Sequence, residues 1–208
     1  MSQPDADVEA SESDGITLRD RRKADRRERL LDAAATLIAD RGYSGVSMRD
    51  LGAAADVSGP AVYRHFASKQ DVLVELLVGI SQRLLADGQK QVQAAADPED
   101  ALRRLIAAHT QFAVTDQDLI RIQDRSLAVL RPEARHRVRR LQREYVELWV
   151  ATLCRIDPRT SAREARFRAH AAFGLMNSTP HAPSVDTVGP ARAKAMLAAM
   201  ALGALQGH

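Results

Sequence analysis

The sequence predicts an all-α protein, and three observations carry that prediction. Alanine occurs 36 times in 208 residues, whereas Ile and Thr together occur 15 times, so strong helix formers dominate and β-branched residues are scarce. Apolar residues recur at three- and four-residue spacing over most of the chain. Capping signals, a Ser, Thr or Asp followed three residues later by an acid, stand just ahead of several periodic stretches.

Residues 1–16 are polar, acidic and aperiodic, and read as a disordered tail. Thr17 and Asp20 read as the cap of a first helix with the apolar stripe Leu30, Ala34, Leu37 and Ile38; Gly42 reads as its left-handed stop. Ser47 and Asp50 cap a short second helix that runs to about Ala55. Asp56 to Gly59 reads as a turn, with Ser58 as N-cap and Pro60 in the first turn of a third helix extending to His65. Ser68 and Asp71 cap a long fourth helix whose stripe is Val72, Leu76, Ile80 and Leu84. Two short helices joined by a tight turn, framed by longer ones, form a helix-turn-helix unit. A fifth helix starts at Asp97-Pro98, and a sixth spans about 117–129. The seventh starts at Pro132, with Val138, Leu141, Tyr145, Leu148 and Thr152 on one face. The eighth starts at Asp157-Pro158 and the ninth at Pro190. Residues 179–190 read as the one long loop of this half.

The net charge of +3 conceals a division along the chain. Residues 1–15 hold five acids and no base, residues 16–70 hold 11 bases and 7 acids, and residues 71–208 hold 19 bases and 15 acids. Only the basic segments bear on phosphate. The single cysteine, Cys154, excludes an intramolecular disulfide framework and a cysteine-rich zinc site, and it fits a reducing cytoplasm. Set on an apolar helix, it reads as buried and inert. No apolar run approaches the roughly 20 residues of a membrane helix, and the acidic N-terminus carries no secretory signal. There is no phosphate-cradling glycine loop, no HExxH and no recognisable pair of carboxylates, and the six histidines show no ligand spacing. No catalytic residue, cofactor or metal site is therefore expected.

Within residues 22–77, Ala33-Ala34 and Leu37, Gly42-Tyr43, Ser47-Met48-Arg49-Asp50-Leu51, Ala55, Val57-Ser58 and Val62-Tyr63-Arg64-His65-Phe66-x-x-Lys69 form one pattern. It resembles the DNA-binding domain of the TetR family of bacterial transcriptional repressors, departing mildly with Ser47 where Thr is commoner and Tyr43 where Phe is commoner. The resemblance implies that Ser47, Arg49, Ser58, Ala61, Tyr63, His65 and Lys69 touch DNA. The residues support this on their own terms. Ser58, Gly59, Pro60 and Ala61 keep the helix tip slim for a major groove. Arg49 and Arg64 are the base-reading candidates, since Arg can chelate guanine. Tyr63, His65 and Lys69 suit phosphate. Arg21 and Arg22 head a run of seven bases between Arg19 and Arg29 that reads as a phosphate-binding arm; the alternative is a solvated face with pairs such as Arg21–Asp25.

The expected organisation is a tail over 1–16, a helix-turn-helix DNA-binding domain over 17–70, and a helical ligand-binding and dimerisation domain over 71–208. The resemblance implies a homodimer through the last two large helices. The eighth offers Phe167, Ala171, Gly174, Leu175 and Ser178, and the ninth Ala195, Met196, Ala199, Met200 and Gly203. It also implies a small-molecule effector in the body, for which His109, Phe112, Arg125, Tyr145, Trp149, Phe173 and Asn177 are the lining candidates. The C-terminal half further resembles actinobacterial regulators of fatty-acyl or sterol-derived coenzyme A thioesters. Arg135, Arg137, Arg139, Arg140 and Arg143 then suit a phosphate-rich headgroup, against the alternative of a solvated helix face. The expected function is a cytoplasmic repressor released from a palindromic double-stranded DNA operator by an apolar or acyl-CoA-like effector. An activator, an effector-independent regulator, and a helical enzyme or scaffold reusing the fold are the alternatives.

Overall fold

The computed structural model describes residues 18–182 and 185–206, and within them every regular element is a helix. The chain runs α1 (Leu18–Arg41), α2 (Met48–Ala54), α3 (Gly59–Tyr63), α4 (Lys69–Gln93), α5 (Pro98–Thr115), α6 (Gln117–Ser126), α7 (Pro132–Ile156), α8 (Ala162–Met176), α9 (Val185–Val188) and α10 (Pro190–Gln206). The acidic tail and the Thr17 cap lie outside the described residues. Single 3-10 turns sit at Tyr43–Gly45, Leu127–Val129 and Thr179–His181.

The caps form as the spacing predicts. At α2 the Ser47 hydroxyl accepts from the Asp50 N–H while the Asp50 carboxylate accepts from the Ser47 N–H, a complete capping box. Ser68 and Asp97 cap α4 and α5 by accepting from the Asp71 and Asp100 N–H groups. Leu30, Ala34 and Ile38 of α1, Leu51 of α2, Val62 and Phe66 at α3, and Val72, Leu73 and Leu77 of α4 are buried in one contiguous core. That core continues through α5, α7, α8 and α10, and α4 crosses residue 70 without a break, so the two halves share a rigid strut.

Several local expectations are corrected. The eighth helix starts at Ala162 and not at Asp157-Pro158. The Asp157 carboxylate accepts from the Arg159 N–H at 3.0 Å and so closes a turn, while Ser161 caps the helix by accepting from Glu164. The stretch 179–190 is not one loop but holds the 179–181 turn and α9. Helix α3 ends at Tyr63 and not His65. Ser58 occupies the N-cap position with extended backbone, but its side chain makes no capping bond. Gly42 does have a positive φ of 74°, yet with ψ 159° it lies in an extended region essentially reserved for glycine and not in the left-handed helical well. Cys154 is half-buried, its thiol 3.5 Å from the Thr160 carbonyl oxygen. None of the described helices is long and apolar enough to cross a membrane.

Candidate nucleic-acid interface and effector cavity

Helix α3 is presented by its buried side. Val62 and Phe66, four residues apart, are 0% and 3% exposed, while Tyr63 on the opposite side is 58% exposed. Arg49 and Arg64 are exposed and make no ion pair among the described residues. Helices α2 and α3 meet closely at Gly52. A Cβ there would lie 2.7 Å from the Val57 carbonyl oxygen and 2.9 Å from Val62 Cγ2. The Gly52 carbonyl also accepts from the Val57 N–H at 2.8 Å, which fixes the turn between the helices. Gly52→Ala should therefore destabilise the protein by about 1–3 kcal/mol. A urea titration would read this as a lowered midpoint at unchanged slope.

The bases around this helix pair divide into two kinds. Arg27 ion-pairs through its two terminal guanidinium nitrogens with Glu75 and lies 4.9 Å over the Phe66 ring, so it ties α1 to α4. Lys69 donates to the Tyr43 and Val46 carbonyls at 2.7 and 2.6 Å, with its ammonium 4.3 Å from the Tyr43 ring centroid. Two of its three protons hold the turn before α2, which makes Lys69 a positioning residue in the unbound protein. The Ser47 hydroxyl is likewise engaged, donating to Asp50 at 2.6 Å. These hydrogen bonds hold the exposed Asp50 carboxyl below the usual carboxylate range. By contrast, Lys23, Arg26 and Arg64 stand exposed. The His65 imidazole is pushed below its ordinary pKa first by burial and then by Lys23, Arg26, Arg27 and Arg64. One face thus collects bases from α1 beside the end of α3. His65 Nδ1 is buried without a hydrogen-bond partner among the described residues. Arg21 is exposed and not ion-paired with Asp25, and the Arg22 side chain lies outside the described residues.

In the body, a cavity of about 220 Å³ lies among α4, α5, α6, α7 and α8. His109, Phe112, Tyr145, Phe173 and Asn177 all line it, so five of the seven sequence candidates converge. The other two do not. Trp149 is fully buried behind the wall, its ring centroid 4.9 Å from that of Phe173. Arg125 points away to the Ala39 carbonyl on α1 at 3.4 Å, because its position on α6 faces α1. Ile120, Gln123, Gln142 and His170 also line the cavity and were not singled out from the sequence. The two glutamines left a signal, as polar residues at helical spacing from buried Ile120 and Tyr145.

His109 organises the cavity. It is 3% exposed, with Nδ1 3.2 Å from the Tyr145 hydroxyl and Nε2 3.1 Å from Asn177 Oδ1. Burial lowers its pKa to about 4, partly opposed by the Asn177 bond, so the ring is neutral at physiological pH. The arrangement that satisfies both contacts has Nε2–H donating to Asn177 and Nδ1 accepting from Tyr145. Burial likewise raises the Tyr145 phenol well above its ordinary pKa. The Trp149 N–H lies toward the Tyr145 oxygen but short of hydrogen-bond geometry. Gly88 on α4 makes room for the Tyr145 ring, whose Cε2 would lie 2.7 Å from a Cβ there.

A larger cleft of about 730 Å³ separates α1 from α4 and α6. Within it Asp116 pairs with Arg83 and Asp118 with Arg121, while Glu75 pairs with Arg27 beside it, and it reads as a solvated seam. Among the described residues no cluster of His, Cys, Asp or Glu is placed to hold a metal.

Comparison with known proteins agrees with this architecture. Residues 30–76 match the model of bacterial regulatory proteins of the tetR family, and residues 95–181 match a tetracyclin repressor-like C-terminal domain. The transcriptional repressor KstR2 of Rhodococcus jostii is 30% identical over 139 residues, 63% of this chain; the match spans only 65% of that repressor's length. The TetR-family regulator PfmR of Thermus thermophilus superposes with a TM-score of 0.75 at 29% identity, over 86% of this chain and 98% of that one. AibR, solved with isovaleryl coenzyme A and operator DNA, has the same fold, with a TM-score of 0.72 at 21% identity over 86% and 96% of the two chains. The chain belongs to the tetR family of bacterial regulatory proteins, a family of DNA-binding regulators and not of enzymes.

Proposed function

We propose that the protein is a homodimeric transcriptional repressor that binds a pseudo-palindromic operator and is released by a small acyl-thioester effector. The observation that carries the reading is the pairing of an exposed Arg49, Tyr63 and Arg64 with a fully packed Val62–Phe66 side on a helix pair locked at Gly52. Arg49 and Arg64 read base edges, while Tyr63, His65 and the exposed bases of α1 position the backbone. Ser58, Gly59, Pro60 and Ala61 form the slim tip that enters the major groove.

The last two large helices support dimerisation. Phe167 on α8 is 75% exposed, and Met196 and Met200 on α10 are 48% and 54% exposed. Gly174 and Gly203 on the same helices have open space where a Cβ would stand. A second copy covering this apolar face gives a four-helix interface. The effector reading draws on the cavity together with the coenzyme A ligand of AibR. Helix α6 supports the coupling: Ile120 and Gln123 line the cavity, while Arg125 on the same helix bonds α1. An effector that favours a different α6 position lowers DNA affinity by its preference for that state.

The test is fluorescence anisotropy with the DNA upstream of the protein's own gene and a scrambled duplex. Arg49→Ala and Arg64→Ala should each weaken specific binding by about 1–3 kcal/mol, with a smaller loss on scrambled DNA. Equal losses on both duplexes would remove these residues from base reading.

A further inference from the structure

We propose that the cavity accepts only an uncharged and short portion of its effector, and that Phe173 sets the length limit. The proposal rests on the effector reading above and names what that site selects. None of the twelve lining residues is Asp, Glu, Lys or Arg. The deepest polar group, His109, is neutral, with both ring nitrogens already partnered. His170 is the only other titratable nitrogen group on the wall, and it stands at the exposed rim. A carboxylate carried inside would lose its water and gain no cation, which costs at least about a hundredfold in affinity. A thioester or ester carbonyl carries no charge, and the Asn177 amide N–H groups and those of Gln123 and Gln142 are donors of the right kind at the wall.

The length limit follows from the volume and its backing. The cavity of about 220 Å³ holds roughly seven groups the size of a water or methylene, at about 30 Å³ each. Phe173 packs against His109 at 4.9 Å and Tyr145 at 5.7 Å between ring centroids, and the fully buried Trp149 backs it at 4.9 Å. The buried indole blocks the ring from receding toward α7. An acyl chain of about six carbons fits, and one of about sixteen does not. A charged remainder of the ligand stays outside. On α7, Arg139 and Arg135 lie three and seven residues before Gln142, on the same stripe and beyond the cavity wall.

Isothermal titration of the intact protein tests both parts. The probes are S-hexanoyl-N-acetylcysteamine, which is neutral, hexanoate, hexanoyl coenzyme A and palmitoyl coenzyme A. The two hexanoyl thioesters should bind, with hexanoate and palmitoyl coenzyme A at least about a hundredfold weaker. Phe173→Ala should admit about three more carbons, as judged with octanoyl and decanoyl thioesters. Phe173→Leu should shift the limit less, and it preserves the core if the alanine variant fails to fold. Hexanoate binding as tightly as its thioester overturns the charge selection. Palmitoyl coenzyme A binding as tightly as hexanoyl coenzyme A overturns the length limit. If no thioester of any length binds, the effector reading itself falls, and this proposal with it.

Discussion

Trp149→Ala should lower folding stability by about 3–5 kcal/mol. The indole is fully buried on α7, and its ring lies 4.9 Å from Phe173, 6.1 Å from His109 and 6.2 Å from Tyr145 between centroids. Removing it withdraws the largest buried side chain of the body and opens a void directly behind the cavity lined by His109, Tyr145 and Phe173. Helices α5, α7 and α8 surround that void, and they are tied to one another and cannot collapse freely into it. Calorimetry should show a large fall in melting temperature. A loss under about 1 kcal/mol would mean that the indole is not a structural post.

The second large effect is a loss of stability in mild acid. An unfolded histidine titrates near about 6.5, whereas His109 in the fold titrates at about 4. Between these values the unfolded chain takes up a proton that the folded one refuses. The stability this group contributes is whole above pH 6.5, falls as the pH drops, and is gone below about pH 4. The amount is about 3 kcal/mol. His65, also held below its ordinary value, adds to the slope in the same direction. Chemical denaturation from pH 7 to pH 4 should show the decline, and His109→Gln should flatten most of it. An unchanged slope in that variant would place the acid sensitivity elsewhere.

The helices and their starts were readable wherever local chemistry decides them. Ser47, Ser68 and Asp97 cap because each side chain reaches an amide only three residues away. Helix α3 was readable because Val62 and Phe66 declare its buried side four residues apart. Errors arose where one local option competed with another. Asp157 and Ser161 are both plausible caps, and the aspartate closes a turn with Arg159 instead. The Lys69 ammonium also bonds carbonyls 23 and 26 residues earlier in the chain, a contact invisible to periodicity. Gly52 carried no local signal at all, since its role depends on how Val57 and Val62 return to it in space. The cavity was half legible for the same reason. Aromatic and polar residues on inward faces marked His109, Phe112, Tyr145, Phe173 and Asn177. Whether Arg125 faced the cavity or α1 depended on the rotation of α6, which only packing sets.

The central claim is that two copies of this chain read DNA through α3 in successive major grooves. Nuclease footprinting of the intact protein on the DNA upstream of its own gene, at physiological salt, tests it most directly. The expected result is protection of two half-sites related by a pseudo-two-fold axis and centred roughly 34–36 Å apart. The protection should fade when hexanoyl coenzyme A is added. A folded dimer that protects no sequence over random DNA would contradict the claim.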